Sequence, residues 1–482
     1  MVAELKAYPE YKDSGMEWLG DVPTHWQVPR VKDLCRMQSG DGITAESIHP
    51  VGLYPVYGGN GQRGYTAEYT HEGTFVLIGR QGALCGNVHL ARGRFWASEH
   101  AVVTTARSGY LPEWLGAILG VMDLNQYSIA AAQPGLSVER VLNLRLPVPP
   151  ACEQVAIVRF LDHVNRRIQR YIRAKEKLIA LLEEQKEAII HEAVTGRINV
   201  TTEARYPAYR NSGVEWLGNV PAHWDVAALR HRYTQSLGKM LDSKQITGNH
   251  SLPYLRNIDV QWDSINAEDL PTMDIAPDEY DRYTLREGDL LVCEGGEVGR
   301  CALWSGELTD CGFQKALHRL RPLNVDQDVP RFMYYALRAA VNGKAFNDGH
   351  LSTIAHLTGE KLRAHRFPFP QVAEQHSVVG FLDAALEKTE GTISRLSRRT
   401  ELVYEYSARL LADIVTGKLD VRDAATRLTD MDGLGVGGNL RSEWAGSRHD
   451  AEEGQPAPNI VHPEQPAVGP RHRVCSGETN EC

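Results

Sequence analysis

The chain repeats itself at a long period, and this constrains its fold more than any other feature of the sequence. Tyr8–Val28 reads YPEYKDSGMEWLGDVPTHWQV and Tyr206–Val226 reads YPAYRNSGVEWLGNVPAHWDV, at a constant offset of 198 with no gap. Leu146–Val200 returns as Phe367–Val421 at a constant offset of 221. That second match aligns Pro147, Pro149, Glu153, Gln154, Phe160, Leu161, Asp162, Val194, Thr195 and Gly196 with Pro368, Pro370, Glu374, Gln375, Phe381, Leu382, Asp383, Val415, Thr416 and Gly417. The difference of 23 residues between the offsets is confined to what lies between. Solenoid repeats are far shorter, roughly 20–50 residues. The order is therefore entry segment, variable region and linker, then all three again, and 482 residues suffice for about three folded units.

The linker reads as a long helix. Pro147 and Pro149 cannot continue a helix from upstream, and Glu153-Gln154 sit where a first turn favours acidic side chains. Ile157, Leu161, Val164, Ile168, Ile172, Ile179, Leu182 and Ile189 follow at steps of three, four or seven, with Arg and Lys between them. The copy carries Val378, Leu382, Ala385, Ile393, Leu396, Leu402, Val403 and Leu410. Each stripe stops before a glycine, Gly196 or Gly417. About 42 residues rising ~1.5 Å each make a rod of about 60 Å. Two such rods pack most simply on each other as an antiparallel coiled coil, with the variable modules at opposite ends of a stiff spacer and related by an approximate two-fold axis; the competing reading is that each rod packs on its own module.

The variable regions mix β-prone runs, Thr74–Ile78, Ala101–Thr105 and Asp289–Cys293, with helical stretches at Leu111–Met122 and Val329–Val341. The expected class is α+β, two globular modules of mixed structure, each with a curved sheet and its own core.

Composition is that of an ordinary globular protein, 42% apolar and 23% charged. No long uncharged apolar run and no export signal is visible, and eight cysteines without a CxxC pair suit a reducing compartment, so a cytoplasmic location is expected. The net charge of −9 does not by itself suggest DNA. Eight acidic residues against four arginines after Asp430 put −4 of it in the tail. Cys293, Cys301, Cys311 and His318 do not follow a zinc spacing, no GxxxxGK[ST] loop is present, and no carboxylate-lysine group stands in a convincing catalytic context.

The segments SGxEWLGxVPxHW at Ser14–Trp26 and Ser212–Trp224, the PxPxxxEQ entries at Pro147–Gln154 and Pro368–Gln375, the FLD and VTG signatures of the helices, and Tyr54–Gly61 (YPVYGGNG) carry a resemblance. From Tyr8 to about Val421 the chain resembles the DNA-specificity (S) subunit of type I restriction-modification systems. The resemblance implies a first target-recognition domain with its entry segment over 1–150 and a first spacer helix over 151–198. It then implies a second target-recognition domain over 199–370, a second spacer helix over 371–420, and leaves a tail over 421–482 that is expected to be disordered. It implies a non-catalytic subunit that reads a bipartite, asymmetric double-stranded DNA site and docks two modification (methyltransferase) subunits and the restriction (translocase-nuclease) subunits. On this reading the chain binds no cofactor, while its partners use S-adenosylmethionine, ATP and magnesium. Ile157, Leu161, Ile168 and Leu182, with Leu382, Ile393, Val403 and Leu410, are the expected helix-packing residues.

Arg and Lys suit guanine edges and phosphates, Asn and Gln suit adenine, and glycine loops let main-chain amides approach phosphate. These combine at Asn60, Gln62, Arg63, Arg80 and Gln81 in the first module, and at Arg256, Asn257, Arg300, Gln314 and Lys315 in the second. The competing reading for each is an ordinary solvated turn, and YGGNG looks partly structural. The alternatives of another class are a protein-binding coiled-coil scaffold and a stand-alone DNA-modifying enzyme.

Overall fold

The structure, a computed structural model, describes residues 5–82, 85–128, 135–202, 204–241, 248–346 and 357–428. These divide into two compact units, one holding the chain up to Leu161 and again from Ala408, the other holding Asp162–Ser407.

The first unit opens on a hairpin, β1 (Tyr11–Asp13) and β2 (Asp21–Pro23), followed by a single turn α1 (Val31–Leu34). Strands β3 (Cys35–Ser39), β4 (Tyr54–Gly58), β5 (Gly61–Thr66), β6 (His71–Gly79), β7 (Val88–Ala97) and β8 (Ala101–Ala106) form one sheet in the order β3-β8-β6-β7-β4-β5. Only β4 and β7 are parallel. Helices α2 (Pro112–Val121) and α3 (Val138–Asn143) lead to α4 (Ala151–Val194). Alternation in β6 serves two cores. Leu77 joins Tyr57, Ala91, Phe95 and Val103 on one face. Val76 on the other meets α2 so closely that only glycine, Gly116, fits opposite it without adjustment.

In the second unit the hairpin returns as β9 (Tyr209–Asn211) and β10 (Asn219–Pro221), followed by β11 (Asp225–Ala228) and β12 (Tyr233–Leu237). The next segments are β13 (Ser251–Leu255), β14 (Val260–Gln261), β15 (Ser264–Ile265), β16 (Thr272–Asp274) and α5 (Tyr280–Tyr283). Then come β17 (Leu290–Cys293), β18 (Cys301–Leu303), β19 (Gly312–Phe313) and β20 (Leu317–Pro322). Helices α6 (Pro330–Asn342) and α7 (Gly359–Ala364), strand β21 (Arg366–Phe369) and helix α8 (Val372–Val415) complete it. The sheet β12-β20-β17-β18 matches β3-β8-β6-β7, while β13 pairs in parallel with β19 as β4 does with β7. All of β17 is buried because both faces are covered. Leu290 and Val292 join the α6 core, and Leu291 and Cys293 join a core with Leu255, Trp304 and Phe313. The expected class, α+β with two repeated domains and two long helices, is what the chain adopts.

Each part of the repeated motif has a mechanical reason. The glutamine of the EQ pair holds the start of the module helix. Leu111 N–H donates to Gln154 Oε1 at 3.0 Å, and Val329 N–H to Gln375 Oε1 at 2.8 Å. Both amides have no partner within their helix because each belongs to the residue that caps its N-terminus, with no turn before it, and a proline follows at the first helical position. The glutamate ties down the entry segment. Glu153, buried, accepts from Tyr8 Oη (3.1 Å), Trp26 Nε1 (2.9 Å) and His25 Nε2 (2.7 Å), and Glu374 accepts from Tyr206 Oη (2.5 Å) and His223 Nε2 (3.0 Å). The glycine of VTG has positive φ and lies under the proline and tryptophan of VPxHW, Gly196 under Pro221 and Trp224, Gly417 under Pro23 and Trp26. The first unit thereby closes on itself, with the end of α8 meeting the first entry segment.

In the second unit α4 and α8 run antiparallel. Lys186 pairs with Glu390 at 3.6 Å, while Ile190 and Val194, further along α4, share a core with Val378, Leu382 and Leu386, earlier on α8. Ile157, Leu161, Leu382 and Leu410 are buried, and Ile168, Leu182, Ile393 and Val403 are half-buried. Leu402 is exposed and leaves the expected stripe. The start of the tail also departs from expectation, because Arg422–Thr426 forms a short helix with Val421 and Ala425 buried. Beyond Leu428 the tail, with Trp444, His449, His462 and His472, lies outside the described residues. Among the described residues no helix is long and apolar enough to cross a membrane.

Candidate nucleic-acid interface

Three loops and one glycine meet at the same place in each module. In the first, Ser98 N–H donates to Tyr57 O (2.8 Å), Arg80 N–H to His100 O (2.9 Å) and Leu136 N–H to Arg80 O (2.9 Å). In the second, Gln314 N–H donates to Leu255 O (2.9 Å), Glu294 N–H to Ala316 O (2.9 Å) and Leu357 N–H to Glu294 O (2.8 Å). The glycine after the first sheet strand completes the junction. Gly40 N–H reaches Ala101 O at 2.9 Å and Gly238 N–H reaches Leu317 O at 3.0 Å. Both glycines lie so close to the turn that a Cβ would stand 2.3 Å from Ala97 O or from Gln314 O. Gly40→Ala and Gly238→Ala should each cost about 2–3 kcal/mol, measured by denaturant unfolding, whereas Gly42→Ala, with nothing within 4 Å, should leave stability nearly unchanged.

The expected contact residues fall into two groups around this junction. Asn60, Gln62, Arg63 and Gln81 are exposed and Arg80 is half-buried. Asn60 accepts from Asn87 Nδ2 at 3.2 Å, which links the β4–β5 turn to the β6–β7 loop, and Arg63 lays its aliphatic stem over Gly58. In the second module Gln314 is half-buried and Lys315 exposed.

Arg256, Asn257 and Arg300 are instead turned on their own module. Arg256 makes a two-pronged bond to Asp259, Nε to Oδ2 at 2.9 Å and Nη2 to Oδ1 at 2.8 Å, and the guanidinium and main-chain amide together hold the Asp259 carboxyl below its usual pKa against the opposing effect of burial. Asn257 donates to Gly295 O (3.2 Å) and Ala316 O (3.3 Å) and accepts from Arg300 Nη2 at 3.0 Å. Its counterpart Gly59 sits against the matching pair, a Cβ there lying 3.2 Å from His100 O and 3.6 Å from Gln81 O. Where the first module brings main chain into contact, the second fills the gap with an amide. The structural reading of YGGNG is supported: Gly61 packs on the ring of His89. Glu99, His100, Asp41 and Glu294 stand at the same junction, and no motif in the sequence marks them. The offset of 198, followed past Val28 to Gly40 and Gly238, leads to it.

The thiols of Cys293, Cys301 and Cys311 are buried and their pKa values pushed up by burial, that of Cys311 to about 12. Among the described residues no group of three or more His, Cys, Asp or Glu could hold a metal ion.

The family model for the type I restriction modification DNA specificity domain matches residues 23–179 and 234–396, one stretch over each module and its helix and well over half of the chain together. The chain belongs to that family. The EcoprrI specificity subunit of Escherichia coli is 40% identical over 161 residues, 33% of this chain and 40% of that protein's length. A Haemophilus influenzae chain, provisionally named a type I restriction enzyme specificity subunit, is 24% identical over 388 residues, covering 76% of this chain and 89% of its own. A solved chain from a study of complex assembly and conformational transition in a type I R-M system shares the fold, with a TM-score of 0.61 at 16% identity over 83% of this chain and 99% of its own.

Proposed function

We propose that this chain is the DNA-reading subunit of a type I restriction-modification complex, recognising a two-part asymmetric site with one target-recognition module per half. The observation that carries this reading is the junction: the same main-chain scaffold is built twice and dressed with different side chains, as two readers of unlike half-sites require. Asn60, Gln62, Arg63, Arg80 and Gln81 are assigned to DNA in the first module, and Gln314 and Lys315 in the second. Arg256, Asn257 and Arg300 shape the loops that present them.

The chain's part in the chemistry is placement. A modification subunit using S-adenosylmethionine methylates an adenine in each half-site, flipped out of the duplex, and the restriction subunits use ATP and magnesium. Tyr171, Leu178 and Leu181 on α4 and Leu402 and Tyr406 on α8 are large apolar side chains left exposed on the helices, and they suit docking of the modification subunits.

Co-expression with the neighbouring modification subunit in a methylation-free host, with modified bases mapped by single-molecule sequencing, tests the reading. The expected result is a split motif of two short unlike halves with a constant gap, lost when this chain is omitted. An assembled complex that leaves no chain-dependent methylation would refute it.

A further inference from the structure

The main-chain bonds of the junction allow the two modules to be matched residue by residue where their sequences no longer align. Arg80 and Glu294 are equivalent, since each donates its N–H to the carbonyl of the third residue of the turn and accepts from a leucine amide. The turns are Ser98-Glu99-His100 and Gln314-Lys315-Ala316, so Glu99 and Lys315 are equivalent as well. At both positions the sign of the charge is reversed. The first module presents Arg80 beside Glu99, and the second presents Glu294 beside Lys315. The residues after the two junction glycines, Asp41 and Lys239, reverse likewise, although Lys239 is taken up by an ion pair with Glu279.

Two features set the four charges apart from their neighbours. Their places in the fold are held by main-chain hydrogen bonds, so side-chain identity is free to vary without loss of the scaffold. Their side chains are also uncommitted: among the described residues Arg80, Glu294 and Lys315 make no side-chain hydrogen bond or ion pair, and Glu99 pairs only with the adjacent His100, at 3.2 Å, both being partly exposed. Arg256, Asn257 and Arg300, by contrast, are consumed in holding loops.

We propose that Arg80 with Glu99, and Glu294 with Lys315, are the specificity-determining pair of each module, an inference that rests on the DNA-reading role above. A carboxylate accepts from the exocyclic amino group of cytosine, and a guanidinium or ammonium donates to O6 and N7 of guanine. Reversal of the pair therefore selects opposite members of a G·C pair on the strand each module faces, and the two half-sites differ at the matched base.

The test uses the full chain in its assembled complex with the modification subunit, comparing wild type with Glu99→Lys, Glu99→Gln, Lys315→Glu and Lys315→Gln and mapping methylated sites by single-molecule sequencing. The Glu99 variants are expected to change base preference by roughly tenfold or more at one position of one half-site, and the Lys315 variants at one position of the other. Assembled variants that methylate the wild-type motif with unchanged relative rates would overturn the proposal. So would failure of both the charge-reversed and the glutamine variants to assemble, since the side chains would then be part of the scaffold. A wild-type complex with no motif at all would instead refute the DNA-reading role on which it rests.

Discussion

Replacing Glu153 with alanine is expected to destabilise the first unit by roughly 3–5 kcal/mol, the range for stranding buried polar partners around a lost charge. The carboxylate is almost fully buried, yet it is met on three sides by Tyr8 Oη, Trp26 Nε1 and His25 Nε2, with Arg422 Nη1 at 3.6 Å beyond them. Arg422 is itself held by Asp420, Nη2 to Oδ2 at 2.6 Å, so the knot joins the entry segment, the start of α4 and the chain just past α8. Without the carboxylate, the Tyr8 hydroxyl and the Trp26 indole remain in a dry site. Glu374→Ala is expected to cost less. Its site lacks the arginine, because Thr201 stands where Arg422 would align, and the indole nitrogen of Trp224 already goes without a partner among the described residues. Chemical unfolding followed by the exposure of Trp26 and Trp224 should show this ordering. Equal losses in the two variants would mean that the arginine and the indole contribute nothing.

The second large effect is loss of stability in mild acid. His89 on β7 is buried and His365 before β21 half-buried, and loss of solvent pushes each imidazole pKa down to about 4. Neither nitrogen of His89, nor Nε2 of His365, finds a hydrogen-bond partner among the described residues. Above about pH 6.5 the ring is neutral in both the folded and unfolded chain, so the free energy of unfolding does not depend on it. As the pH falls, the unfolded chain takes up a proton that the folded one refuses. Stability therefore drops between pH 6.5 and about 4 and levels off below, by about 3 kcal/mol for each histidine. His89→Leu should flatten the acid limb for the first unit, and His365→Leu for the second. The measurement is the unfolding free energy across that window, and an unchanged slope in the variants would show that the rings are hydrated and protonated as in water.

Much of this architecture was legible in the sequence because it rests on periodicity and on repetition. Prolines ahead of an apolar stripe at helical spacing and a glycine after it are local signals, and they predict α4 and α8 closely. Thr74–Ile78 and Asp289–Cys293 read as strands for the same reason. The entry motif was visible as a repeat but not explained by it. That its tyrosine and histidine seek the glutamate of the next helix, and its proline and tryptophan the glycine of the other, emerges only when the entry segment is folded against the ends of both helices.

The individual contact residues were far less legible. Arg256, Asn257 and Arg300 look on paper like Arg80 and Gln81, polar side chains among glycines. Folding separates them, because a guanidinium with a carboxylate three residues away at Asp259, or an amide facing the carbonyls of Gly295 and Ala316, is claimed by its own module before any ligand arrives. Glu99 and Glu294 are not legible as contact residues in the sequence, because a carboxylate near DNA seems wrong by charge alone until its place beside an arginine or a lysine on a shared scaffold is known. By itself the sequence determined the duplication, the long helices and the class of the modules, since these follow from patterns that the chain carries locally. Only the tertiary structure decided which polar side chains are spent inside the fold and which remain free, because that depends on main-chain hydrogen bonds between loops far apart in sequence, which no local pattern records.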